Sequence, residues 1–131
     1  MKSRVFSVLF FLISLSIALG ALGHGLQWEH HVRGALPGTD PAALALLAYV
    51  WYWVSGAMLV LGLLLLWVWW RSGGSTVHMP IVPGLIGAFY LVEGGLGAWF
   101  VGRFFLLFVA QALLLWLAAW GMGRGGSSRI E

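Results

Sequence analysis

The residues of this chain best suited to chemistry fall in two places: His24, Glu29, His30 and His31 within the stretch HGLQWEHHVRG, and Glu93, alone in a long apolar run. Imidazoles beside a carboxylate suit a Zn or Cu ion. On an uninterrupted helix His24, Gln27, Trp28 and His31 share one face, while Glu29 and Arg33 form an i,i+4 pair elsewhere. His24 and His31 then stand about 10 Å apart along the axis, too far to share one ion. A metal site therefore requires this segment to bend, with Asp40 or Glu93 supplying a further ligand. Otherwise the stretch is an interfacial turn, with Trp28 among the headgroups and the histidines in water. Haem held by two imidazoles needs ligands at matching depths on facing helices. His78 falls on the side opposite His24, so a second haem ligand would come from another subunit.

An ionisable side chain inside an apolar segment faces a cavity, a partner or a transport path, because exposing it to hydrocarbon is costly. Glu93 lies about 12 Å along its segment from the nearer end. Gln111 reaches a similar depth on the next segment, Tyr90 stands one turn earlier on the Glu93 face, and Arg103 follows across a short connection. Without a cation the carboxyl stays protonated and bridges two helices; with a continuous path it relays protons or cations. A competing reading makes Glu93-Gly94-Gly95-Leu96-Gly97 a turn. That leaves about 14 residues, or about 21 Å, for the segment before it, which is short for a bilayer, so the helical placement is preferred.

Other chemistry finds little support. The chain has no cysteine, which removes disulfides, thiolate metal sites and cysteine nucleophiles. Gly73-Gly74-Ser75-Thr76 lacks the lysine of a phosphate loop. Ser14 and Ser16 are apolar-segment hydroxyls of the kind that bond back to their own helix. Tyr49 and Tyr52 suit interfacial anchoring or packing better than catalysis; a quinone or metal beside Tyr49, Tyr52 or Trp28 is the redox alternative. The formal charge of +3 comes from seven scattered Lys and Arg, with no basic patch for nucleic acid.

These residues must be positioned by apolar helices. Hydrophobic residues make up 61% of the 131 and charged residues 8%, a balance that would leave a soluble fold with large apolar patches in water. Four uncharged runs reach the roughly 20 residues that cross a bilayer as helix: 5–25, 42–70, 81–101 and 104–122. The fold class expected is a single all-α integral membrane domain of four transmembrane helices in an antiparallel up-down bundle, followed by a polar tail, 123–131. Lys2, Arg4, Arg71, Arg124 and Arg129 fall on one side against Arg33 and Arg103 on the other, which places both termini in the cytoplasm and suits a bacterial inner membrane. Asp40-Pro41 is a strong helix start. Trp51 and Trp53 stand about 24 Å from Trp67, Trp69 and Trp70, as two aromatic belts would. The basic start and Ala21-Leu22-Gly23 also resemble a signal peptide, whose cleavage would expose His24 as a copper-binding N-terminus; an uncleaved first span is preferred.

Small residues mark where lipid-embedded helices approach closely. The stripes expected to do so are Ala45, Ala48, Tyr49, Tyr52, Ser55, Gly56 and Gly62 on the second segment, and Gly84, Ala88, Gly95, Ala98 and Gly102 on the third, interrupted by Leu91. The function expected is that of a small non-enzymatic accessory or assembly subunit, partnered by the lipid bilayer and by other membrane subunits or itself, with no required cofactor. A proton- or cation-translocating oligomer built on Glu93 is the first alternative. A metal-, haem- or quinone-binding redox subunit using His24, His30 and His31 is the second.

Overall fold

A computed structural model describes residues 2–74, 77 and 79–124 of the chain. The described residues are all helical or connecting, with no strand: α1 Lys2–Gln27, α2 Pro41–Arg71, α3 Ile81–Phe100 and α4 Leu106–Arg124. With their short helical extensions, four segments are long and apolar enough to cross a membrane: Arg4–Ala35, Pro41–Arg71, Ile81–Phe100 and Arg103–Gly123. Residues 1, 75, 76, 78 and 125–131 lie outside the described set, and with them His78, half of the Gly73–Thr76 loop and most of the polar tail.

The local signals for these helices are clear. Asp40 caps α2, its Oδ2 accepting from the N–H groups of Ala42 at 3.0 Å and Ala43 at 3.1 Å, with Pro41 at the first helical position. At its other end Gly73 and Gly74 take φ of 57° and 68°, the left-handed stop in which the Gly74 N–H reaches the Trp69 carbonyl at 3.3 Å. The first segment runs well past the expected 5–25: α1 continues as a π-helical turn, Trp28–Val32, and a 3-10 turn, Arg33–Ala35. The π turn adds a residue per turn and rephases the helix. Trp28 is consequently buried while His30 and His31 are exposed, so the face expected to join His24, Trp28 and His31 does not form.

α3 is helical through Glu93, Gly94, Gly95 and Gly97, so no turn interrupts it. α4 is preceded by a 3-10 turn, Arg103–Phe105.

Helix α1 packs on α2 and on α4, and α3 packs on α4, whereas α2 and α3 scarcely touch. The four helices therefore leave a lateral gap between α2 and α3. The core is apolar and close-packed around Phe10, Ile17, Leu65, Leu115 and Met122. Outward-facing residues are equally apolar, among them Leu12, Val60, Leu85 and Leu113. That inside-out balance is what a hydrocarbon surround asks of a helix.

The packing faces differ from the expected stripes. On α2, Ser55 and Gly62 are buried, but Tyr52 and Gly56 are exposed. A Cβ at Gly62 would collide with the Ala18 backbone, so α1 and α2 cross there at the closest approach a glycine permits. On α3 the buried face is Pro83, Ile86, Gly87, Tyr90 and Gly94, one residue round the helix from the expected stripe. Gly94 meets the Val109 backbone, with a Cβ position only 2.8 Å from its nitrogen, whereas Gly95 faces open space and Ala88 is exposed. Gly84 contributes through its carbonyl, which accepts from Trp116 Nε1 at 3.2 Å. One residue turns a helix by about 100°, and Leu91, which broke the expected stripe, marked that error of phase.

Candidate functional site

Indole N–H groups staple the helices. Near one end Trp69 Nε1 donates to Ser7 Oγ at 3.0 Å and to the Ser7 carbonyl at 3.1 Å. Near the other, Trp51 Nε1 donates to the His24 carbonyl at 2.7 Å. In an apolar surround a tryptophan N–H needs a partner, and Trp51 and Trp69 each find one on another helix.

His24 is held on several sides. Its ring stacks on Trp51, centroids 4.1 Å apart and 11° from parallel, and its Nδ1 lies 2.8 Å from Ser55 Oγ. Ser55 has one proton and donates it to the Trp51 carbonyl at 3.1 Å. With that proton on the Trp51 carbonyl, the Ser55 oxygen accepts from His24 and Nδ1 carries the ring hydrogen; with the proton turned to Nδ1 instead, the ring hydrogen sits on Nε2. A neutral imidazole with Nδ1–H has its lone pair on Nε2. This is the arrangement in which a hydrogen bond at one ring nitrogen orients the other toward a ligand. His24 is half-buried in this seam, contrary to the expectation that it meets water beside His30 and His31.

A partly open cavity of about 250 Å³ adjoins His24 and is walled by Trp53, Tyr90, Glu93, Phe105 and Phe108. It brings together residues from all four helical segments, including three that the sequence pointed to: His24, and Tyr90 with Glu93 one turn apart on α3. Tyr90 is 3% exposed, and its hydroxyl has no hydrogen-bond partner. Leaving such a group buried and unpaired costs about 1–3 kcal/mol. Glu93 is exposed on the helix surface at the cavity and makes no hydrogen bond or ion pair with a described residue.

The cavity shares Trp53 and Phe89 with a groove of about 750 Å³ that fills the gap between α2 and α3, lined by Gly56, Ala57, Val60, Leu61, Leu85 and Ile86. Gly56, expected in a helix–helix seam, instead keeps this groove open. The two spaces are thus neighbours across Trp53 and Phe89, the first with polar groups in its wall and the second apolar.

Gln111 does not meet Glu93. It is buried on α4 facing α1, donating from Nε2 to Ser16 Oγ at 3.1 Å, while Ser16 donates to the Ile13 carbonyl at 2.8 Å. The Gln111 Oε1 is unpartnered and borders a second cavity, of about 370 Å³, on the other side of His24. Arg103 lies apart from Glu93, and among the described residues the one ion pair is Glu29–Arg33, at 3.0 Å and exposed. No three His, Asp or Glu side chains among the described residues converge as metal ligands.

The aromatic walls Trp53, Phe89, Phe105 and Phe108 were missed in the sequence because each looks like an ordinary lipid-facing or belt residue. The link from His24 to Ser55 joins positions 31 apart, and its signal was a serine and a histidine each set in apolar sequence. Comparison of the chain with protein-family models, with curated proteins and with solved structures gave no match.

Proposed function

We propose that the chain is a small accessory membrane protein that binds a lipophilic molecule, holding its polar head in the cavity at His24 and its apolar chain in the groove between α2 and α3. The observation that carries this reading is the adjacency of the two spaces: a cavity bordered by the His24 imidazole lies beside an apolar groove, with Trp53 and Phe89 common to both walls. Ligand sites are typically apolar clefts with a few placed polar groups, and this one has that composition. The chain acts within a larger membrane complex or a homo-oligomer, consistent with its scant sequence outside the four helices.

In the same reading the helices span a bacterial inner membrane up-down, with both termini cytoplasmic. The support is the basic residues: Arg4 and Arg71 stand at helix ends joined by the Ser7–Trp69 contact, Lys2 precedes Arg4, and α4 ends at Arg124 three residues past Gly121, which packs on Phe6. A binding role is favoured over cation translocation because the helices are packed with Phe10, Leu65, Leu115 and Met122 toward that end, which leaves no polar route onward from Glu93 among the described residues.

The test is purification in mild detergent, followed by solvent extraction and mass spectrometry of what the protein retains. An equimolar lipophilic compound is expected, lost in Gly56→Trp. A Cβ at position 56 meets nothing within 4 Å, so that variant fills the groove without disturbing the helix seams. Retention of the same compound by Gly56→Trp, or no retained compound in the parent, overturns the reading.

A further inference from the structure

We infer that the molecule held is a quinol, the reduced form of a membrane quinone, bound in preference to the oxidised form; this rests on the binding reading above and names its ligand class. Among the described residues no lysine or arginine borders the cavity or the groove, and Glu93 places a carboxyl beside the polar end. A phosphate headgroup would meet a carboxyl and no cation, which disfavours phospholipids.

The donor and acceptor inventory then separates the two redox forms. In the tautomer with Nδ1–H on Ser55 and the Ser55 proton on the Trp51 carbonyl, His24 presents a lone pair at Nε2. Glu93 offers carboxyl oxygens. The cavity is thus rich in acceptors, and its one buried hydroxyl, that of Tyr90, is unpartnered. A quinol carries two O–H donors and retains oxygen lone pairs for Tyr90. A quinone carries acceptors only: it can take the Tyr90 proton, but it leaves Nε2 facing another lone pair.

Shape agrees with this chemistry. The cavity, at about 250 Å³, falls below the usual range for a whole drug-sized ligand and suits one substituted ring, which Phe89, Phe105 and Phe108 flank with aromatic faces and edges. The groove lies beside it between apolar side chains, as a prenyl chain requires. Binding needs no electron transfer, and none is invoked.

The test compares equilibrium binding of radiolabelled decylubiquinol and decylubiquinone, under anaerobic conditions, to phosphatidylcholine nanodiscs with and without the protein. The quinol is expected to bind about tenfold more tightly than the quinone, the worth of one added hydrogen bond. His24→Phe, which preserves a ring on Trp51, and Glu93→Leu, at an exposed position, should each weaken quinol binding by about that factor and leave the quinone unchanged. Equal affinities, a preference for the quinone, or a preference that survives both variants overturns the inference. Stoichiometric retention of an aminophospholipid with neither quinone form bound also overturns it and leaves the broader binding reading intact. If nothing lipophilic is retained at all, both fall.

Discussion

The imidazole of His24 lies flat against the indole of Trp51 while the Trp51 N–H bonds to the carbonyl of that same histidine, so one tryptophan holds both the ring and the backbone of residue 24. Ser55, one turn further along α2, completes the hold at Nδ1. A side chain fixed this thoroughly has one ring nitrogen committed to the fold and one at liberty for a ligand.

The tautomer of His24 is directly observable. In protein labelled with ¹⁵N at histidine, the His24 ring should show a protonated Nδ1 and an unprotonated Nε2. Ser55→Ala removes the acceptor and should convert this to a mixture, with a loss of about 1–2 kcal/mol in stability from the unpaired N–H. An Nε2–H tautomer in the parent protein would contradict the hydrogen-bond assignment.

The phase of the α3 seam separates two adjacent glycines. Gly94→Ala drives a methyl into the Val109 backbone and the Phe108 side chain, and should cost about 1–3 kcal/mol. Gly95→Ala meets nothing within 4 Å and should gain about 0.5–1 kcal/mol from helix propensity alone. Thermal unfolding of the two variants in the same detergent reads the difference, and the reverse order would restore the stripe through Gly95.

Two neighbouring tryptophans on α2 should likewise behave differently. Trp69→Phe loses the bonds to Ser7 and should destabilise by about 1 kcal/mol. Trp70 is 71% exposed, and Trp70→Phe should change unfolding by no more than about 0.5 kcal/mol.

The hydroxyl of Tyr90 should be a burden to the empty protein. Removing an unpartnered buried group by Tyr90→Phe is expected to leave stability equal or raised by about 1 kcal/mol, while weakening retention of the lipophilic ligand. A marked loss of stability with unchanged retention would mean that the hydroxyl serves the fold alone.

The existence of the helices, and the extent of all but the first, were legible in the sequence because hydropathy over some twenty residues is a strong and local signal. The Asp40-Pro41 start was equally plain, since a cap acts within one turn. What sequence pattern did not reveal was rotation. The α3 stripe through Gly84, Ala88 and Gly95 and the seam through Gly87 and Gly94 are built of the same residue types, and only the helix opposite decides between them. The pairing of Glu93 with Gln111 failed for the same reason: similar depth does not set azimuth, and Gln111 faces Ser16 on α1. The π turn at Trp28–Val32 was invisible because it depends on how Trp28 packs against Trp51, at 6.1 Å between centroids, not on any local propensity. Tyr90 and Glu93 were legible as neighbours on one helix face; their assembly with His24 around one cavity needed the third dimension.

The gap between α2 and α3 carries a kinetic corollary. A molecule dissolved in the surrounding leaflet would slide in edgewise, without crossing water and without prising helices apart. Occupancy would then follow the mole fraction of that molecule among the lipids, and a scarce compound concentrated in the bilayer could saturate the site at bulk amounts far too low to measure in the aqueous phase.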